Sequence, residues 1–290
     1  MRGESTDLDD SRPSGARSWD AEIGSVRVLF GPHRLQETGK LVVDLGCQRV
    51  LIVSDAGIEA AGHLGRLQQS LSDAGVKVHA YTDVTENPTT EQVAAGAAAV
   101  AAYQPECLVA LGGGSAMDCA KGINFLLTNG GEMTDYVGQG RATRPLLPAI
   151  GIPTTAGTGS EAQSYALISE AATHRKLACG DPSARFASVI LDPTLLASAP
   201  APVAAATGLD AVSHAIESFV SRRQNPISRM LAQRAWLLLD RHLEPSLRAD
   251  ATLEQRGDVQ LAAHLAGAAI EQSMLGAAHA GANPLTATYG

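Results

Sequence analysis

Short runs of aliphatic residues alternate with segments of helical spacing through the first two thirds of the chain. Arg49-Val50-Leu51-Ile52-Val53 is apolar after its first residue and ends at Ser54-Asp55, the pattern of a strand buried on both faces of a parallel sheet. His63 to Ala74 sets Leu64, Leu67 and Leu71 on one helical stripe and stops at Gly75. Val76 to Tyr81 alternates as a second strand, and Thr90 to Tyr103 is an alanine-rich helix ended by Gln104-Pro105. Cys107 to Leu111 is a third strand that runs straight into Gly112-Gly113-Gly114-Ser115. Pro148 to Pro153 and Ser188 to Asp192 read as further strands. After Pro193 only helical spacing remains, over Val203 to Val220, Ile227 to Arg248 and Leu253 to Ala277. This order predicts an α/β domain with a doubly wound sheet over residues 21–196 and an all-α domain over 197–290. Residues 1–20, polar and rich in Asp, Ser, Arg and Gly, read as a disordered tail.

Composition narrows the function classes. At 290 residues, 45% hydrophobic and 18% charged, the chain has enough apolar material for two domains of an ordinary globular enzyme. A net charge of −8 argues against nucleic acid or an anionic membrane surface as partner. Cys47, Cys107, Cys119 and Cys179 form no CxxC pair and read as reduced thiols of a cytoplasmic protein. No apolar run is long enough to span a bilayer, and the N-terminus lacks a basic-then-apolar leader pattern. Homo-oligomerisation is compatible with the composition and not decided by it.

Candidate chemistry lies in four places. Gly112-Gly113-Gly114-Ser115-Ala116-Met117-Asp118 joins a strand to a helix, where glycines let an anion approach the backbone and free N–H groups bind phosphate oxygens. Three glycines exceed what a tight turn needs, which favours a ligand. Ser115 is placed as the helix N-cap with Asp118 as its box partner. Asp55 follows the Arg49–Val53 strand, where a carboxylate accepts from a ribose and repels a 2′-phosphate; Ser54-Asp55-Ala56-Gly57 is equally a polar turn. Pro153 to Glu161 is a hydroxyl-rich loop after a strand, suited to lining a cofactor pocket and also ordinary in loops. Finally, Asp210 and His214 stand four residues apart on one helix face, with His279 downstream. One carboxylate and two imidazoles suit a catalytic zinc or ferrous iron. The same residues also fit a capped helix, with Thr207 and Asp210 as the box and Leu209, Val212, Ile216 and Phe219 as its buried stripe.

The ordered runs GGGSAMDCAKG, PTTAGTGSE, THRKLACGDP and ATGLDAVSHAIE resemble the iron-containing (group III) alcohol dehydrogenases from about Phe30 onward. The resemblance implies the dehydroquinate synthase-like architecture, an N-terminal dinucleotide-binding α/β domain against a C-terminal helical metal-binding domain with the site between them. It implies NAD in preference to NADP, with Asp55 on the adenosine ribose. Gly113, Gly114 and Ser115 would hold the pyrophosphate, and Asp118 would support their turn. Thr154, Thr155 and Thr158 would lie near the pyrophosphate and nicotinamide ribose, with Asn87 and Lys176 reaching the cofactor. Asp210, His214 and His279 would bind Fe2+ or Zn2+. The expected activity is hydride transfer between NAD and a small alcohol, aldehyde or ketone.

Two departures accompany the resemblance. Many relatives carry a histidine four residues after the position of His279; here it is Asn283, which is neither acid nor base near neutral pH. The family's fourth metal ligand matches a position past Gly290, so the helical domain is expected to be incomplete and to expose apolar surface. The alternatives are a truncated, non-catalytic dinucleotide-binding remnant and a metal-independent reductase such as those acting on maleylacetate. Intact Asp210 and His214 weigh against the latter.

Overall fold

The computed structural model describes residues 17–289, without the side chains of Asn283 and a few other residues of the last helix. The chain opens with an antiparallel hairpin, β1 (Trp19–Ile23) and β2 (Val26–Phe30), followed by α1 (Thr38–Asp44). Then come β3 (Arg49–Val53), α2 (Ala56–Ala60), α3 (His63–Asp73), β4 (Lys77–Tyr81), α4 (Thr90–Val100), β5 (Cys107–Gly112) and α5 (Gly114–Asn129). The α/β part closes with β6 (Gly138–Gln139), β7 (Ala149–Pro153), β8 (Tyr165–Ser169), β9 (Lys176–Gly180) and β10 (Ser188–Leu191). Four helices follow: α6 (Ala201–Val220), α7 (Pro226–Ser246), α8 (Leu253–Ser273) and α9 (Ala277–Tyr289).

The main sheet runs β1-β2-β10-β7-β5-β3-β4, parallel throughout except for β1. Its strand residues alternate between two buried layers. Leu51, Val53, Leu108 and Ala110 face a layer shared with α4 and α5, whereas Val50, Ile52, Cys107, Val109 and Leu111 face α1 and α3. Both faces are covered, which is why these strands carry no polar alternation. The chain passes from β3 outward to β4, then crosses back so that β5 flanks β3 on its other side. That reversal opens a crevice at the C-terminal ends of β3 and β5, the place where doubly wound sheets take ligands. A small second sheet, β6-β9-β8, lies beside it.

The helical part packs on small residues. Ala211, Ala215, Ala232, Ala235, Ala262, Ala266 and Ala269 are buried between α6, α7 and α8. Gly208 lets α6 approach α7 so closely that a Cβ there would stand 2.3 Å from Leu243 Cδ1.

Four expectations are corrected. The expected tail at residues 1–20 lies outside the described residues as far as residue 16, but Trp19 and Asp20 already belong to β1, where Trp19 stacks on Phe30 with centroids 5.0 Å apart. The helix expected to run to Ala277 stops at Ser273, where Met274 adopts φ 67°. On α6 the supposed buried stripe is largely outside. Leu209, Ile216 and Phe219 are exposed, and only Val212 of the four packs against the helical core. Small residues face inward because close helix approach excludes large ones. Neither expected box forms. The N-cap of α5 is Gly113 rather than Ser115, and Thr207 sits inside α6 with its hydroxyl donating to the Val203 carbonyl at 2.9 Å.

Candidate functional site

The crevice at the ends of β3 and β5 is a cleft of about 670 Å3, in the range of cofactor sites. Asp55, Asn87, Gly113, Gly114, Ser115, Thr154, Thr155 and Thr158 all line it, and Pro200, Val203 and Thr207 close it from the helical side. Asp55 caps α2, with Oδ1 accepting from the Ile58 N–H at 3.0 Å. Gly112 takes φ 151°, and a Cβ there would meet Ala116 Cβ at 2.7 Å, so the turn into α5 requires glycine. At Gly114 a Cβ would stand 2.6 Å from Thr158 Cγ2; the missing side chain lets the two loops interlock.

Two of the expected cofactor residues, Asp118 and Lys176, do not themselves line the cleft. Asp118 is half-buried and accepts from the Ser160 hydroxyl at 2.6 Å, while Lys121 Nζ donates to the Ser160 carbonyl at 2.7 Å and the Tyr165 carbonyl at 2.8 Å. This pair fastens the Pro153–Glu161 loop to α5 and has no part in capping. Lys176 Nζ donates to Asn87 Oδ1 at 2.6 Å, and the Asn87 N–H donates to Ser115 Oγ at 3.2 Å, so a single asparagine at φ 53° ties Lys176 to the glycine turn. Burial pushes the Lys176 amine below its ordinary range, against the pull of Asp118 and Glu86.

The same loop reaches the helices. Gly157 packs on α6, where a Cβ would meet Thr207 Cβ at 2.4 Å, and Gly159 packs on α8, where a Cβ would stand 2.5 Å from Gly267 Cα. Gln260 Nε2 donates to the Pro153 carbonyl at 3.0 Å, and His264 Nδ1 lies 3.2 Å from Glu161 Oε1. Neither Gln260 nor His264 was singled out in the sequence, because their partners are about a hundred residues away.

One turn beyond Thr207, α6 presents Asp210 and, a further turn on, His214; α9 brings His279 to meet them. His214 Nε2 lies 3.4 Å from Asp210 Oδ1, His279 Nε2 lies 3.2 Å from the same oxygen, and the two Nε2 atoms are 3.0 Å apart. A metal bonded at about 2.0–2.1 Å to three corners of a tetrahedron holds those corners about 3.3–3.4 Å apart, so the trio fits one cation. A proton satisfies one pair of these atoms at a time, whereas a divalent cation satisfies all three. The rings stack with centroids 4.7 Å apart and planes 15° from parallel. Burial pushes His214 below the usual imidazole range, with His279 adding to it. Burial opposes charge on Asp210 as well, yet the two imidazoles outweigh it and hold the carboxyl low. The Asp210 hydrogen bond, helped by Glu217, raises His279 despite its burial. The side chain of Asn283 lies outside the described residues.

Glu217 is the neighbour that sequence reasoning missed. Its Oε2 lies 2.7 Å from His279 Nδ1, across a sequence separation of 62 residues. The only local signal is His214-Ala215-Ile216-Glu217, a carboxylate one helical turn after a ligand candidate.

Comparison with known proteins places these features in one family. Residues 25–193 match the model of the iron-containing alcohol dehydrogenases, and residues 204–290 match the C-terminal model of the same family. Alcohol dehydrogenase 4 of Schizosaccharomyces pombe is 37% identical over 262 residues, covering 90% of this chain and 62% of the yeast protein. The 1,3-propanediol dehydrogenase of Klebsiella pneumoniae is 33% identical over 275 residues, 94% of this chain and 71% of its own length. The structure of an alcohol dehydrogenase from Oenococcus oeni superposes with a TM-score of 0.87 at 30% identity, covering 95% of this chain and 71% of that one. The chain thus spans between about three fifths and three quarters of the length of these relatives.

Proposed function

The chain belongs to the iron-containing alcohol dehydrogenase family, and on that premise we propose that it is a metal- and NAD-dependent oxidoreductase interconverting small alcohols with their aldehydes or ketones. The observation that carries the reading is the convergence of Asp210 Oδ1, His214 Nε2 and His279 Nε2 next to the cleft that Thr207 helps to close. Asp210, His214 and His279 would hold the cation, iron(II) or zinc, both of which accept one carboxylate and two imidazoles. When bound, it supplies Lewis acidity toward the substrate oxygen.

The remaining residues bind and orient. Gly114 and Ser115 open α5 at the cleft, where their backbone N–H groups would hold a pyrophosphate, with the helix dipole favouring its charge. One oxygen of Asp55 caps α2 and the other is left for a ribose hydroxyl, which favours NAD over a 2′-phosphorylated cofactor. Lys176 and Asn87 together set the rim beside Ser115. Thr155 and Thr158 of the Pro153–Glu161 loop stand against Gly113 and Gly114 and line the cleft, where they would contact the cofactor beyond its pyrophosphate. Holding alcohol and nicotinamide in one cleft lowers the entropic part of the barrier. The names of the relatives make methanol and 1,3-propanediol the substrates to try first.

The test is NADH formation from such alcohols by iron- or zinc-loaded protein. Asp210→Ala and His214→Ala should each abolish it while NAD binding persists. Turnover unaffected by both substitutions would remove the metal from the reading.

A further inference from the structure

We infer that Glu217 is a positioning residue for the third metal ligand, selecting the tautomer of His279 and fixing the backbone that carries it; this rests on the reading of Asp210, His214 and His279 as a metal site. Glu217 is 6% exposed and lies on α6, the helix that supplies the other two ligands. Two backbone N–H groups donate to the Glu217 carboxyl group at Oε1, and its Oε2 stands 2.7 Å from His279 Nδ1, so the group is placed as an acceptor for the Nδ1 proton. With Nδ1 turned to Glu217, Nε2 is the ring nitrogen left to bind a cation, and it is the atom 3.2 Å from Asp210 Oδ1 and 3.0 Å from His214 Nε2.

The other oxygen holds the main chain. Oε1 accepts from the Ala278 N–H at 2.5 Å and from the His279 N–H at 3.3 Å, two donors of the first turn of α9 that have no partner within the helix. Gly276 sits against the same carboxylate: a Cβ there would stand 3.2 Å from Glu217 Cδ, Cγ and Oε1 alike. The backbone contacts alone would make Glu217 a distant cap for α9. The additional bond to the imidazole orients the ring as well, so one side chain joins α6, bearing Asp210 and His214, to the segment bearing His279. Carboxylates that bind the outer nitrogen of a metal-ligating histidine fix its orientation and raise its basicity.

The experiment measures Zn2+ affinity by competition with a chromophoric chelator for wild type, Glu217→Gln, Glu217→Ala and His214→Ala, with NAD affinity and thermal unfolding of the metal-free proteins alongside. Glu217→Ala should weaken Zn2+ binding about 10–100-fold, and Glu217→Gln by less, because an amide oxygen still accepts but lacks the charge. NAD affinity should stay within about twofold, since Glu217 does not line the cleft. A role confined to holding the helix would lower the unfolding temperature and leave the Zn2+ affinity of the folded protein unchanged. Wild-type Zn2+ affinity in Glu217→Gln and Glu217→Ala, with His214→Ala impaired, would overturn the inference and leave the metal site standing. Wild-type affinity in His214→Ala as well, or no specific binding by wild type, would overturn both. Should Glu217→Ala not fold, the near-isosteric Glu217→Gln decides.

Discussion

Replacing Gly267 with alanine probes the seat of the Pro153–Glu161 loop on α8. A Cβ at Gly267 would stand 2.5 Å from the Gly159 carbonyl oxygen and 2.7 Å from Gly159 Cα, both backbone atoms without a flexible end to swing away. Ordinary contact needs about 3.5–4.0 Å, so helix and loop must part by about 1 Å. Overpacking of this kind costs about 1–3 kcal/mol, and a backbone-on-backbone clash belongs at the upper end. Alanine's better helix propensity offsets about 0.8–1.0 kcal/mol, leaving the variant destabilised by about 2 kcal/mol. At about 2–3 °C per kcal/mol for a chain of this size, the unfolding temperature should fall by about 4–6 °C. The same substitution at Gly65 on α3 is the control. That position is exposed with no atom within 4 Å of the added Cβ, so Gly65→Ala should gain about 1 kcal/mol and melt about 2–3 °C higher. Circular dichroism melts of the three proteins make the comparison. Gly267→Ala should also weaken NAD binding, because Thr155 and Thr158 ride on the displaced loop. A Gly267→Ala protein stabilised as much as Gly65→Ala would refute the seating of the loop on α8.

Other outcomes follow from single residues. Asp55→Ala should narrow the preference for NAD over NADP, read as the ratio of the two kcat/KM values, and should cost about 1 kcal/mol through loss of the Ile58 cap. Ala211→Leu should destabilise by about 1–3 kcal/mol because that position is fully buried, whereas Leu209→Lys, on the exposed face, should stay within about 0.5 kcal/mol of wild type in urea unfolding. The N–H groups of Gln48 and Arg49 hold the Glu106 carboxyl below the usual glutamate value. Its contribution is therefore present above the unfolded-state value and lost as pH falls through the folded one. Wild type should melt above Glu106→Gln at pH 7, and the gap should close in acid; a gap that persists at low pH contradicts the assignment.

The parallel sheet was readable because strands covered on both faces need unbroken apolar runs, and Arg49–Val53 and Cys107–Leu111 have them. The first two residues of β1, Trp19 and Asp20, fall within the expected tail because Trp19–Ile23 is an edge strand with polar Asp20 and Glu22 among mostly exposed positions. The inner face of α6 was misread because hydrophobic size was taken as the mark of burial. Helices that approach through Gly208, Ala211 and Ala215 leave their large residues outside. The Asp210–His214 spacing was legible as two side chains on one face, while a capping box remained open until α6 was found to start nine residues before Asp210. Glu217 and the Asp118–Ser160 contact were out of reach, since each joins residues that only the tertiary fold makes neighbours.

Thr207, Asp210 and His214 lie on one uninterrupted helix, with a residue of the cleft at one end and a proposed metal ligand at the other. At about 1.5 Å and 100° per residue, the helix works as a ruler about 10 Å long with a fixed angular setting. Insertion or deletion of one codon between Thr207 and His214 would swing His214 by about 100° and separate it from His279, whatever residue were added. Substitutions on the outward face leave the ruler unchanged. In this stretch of the gene, reading length is therefore under tighter constraint than composition, the reverse of what holds in the loops on either side.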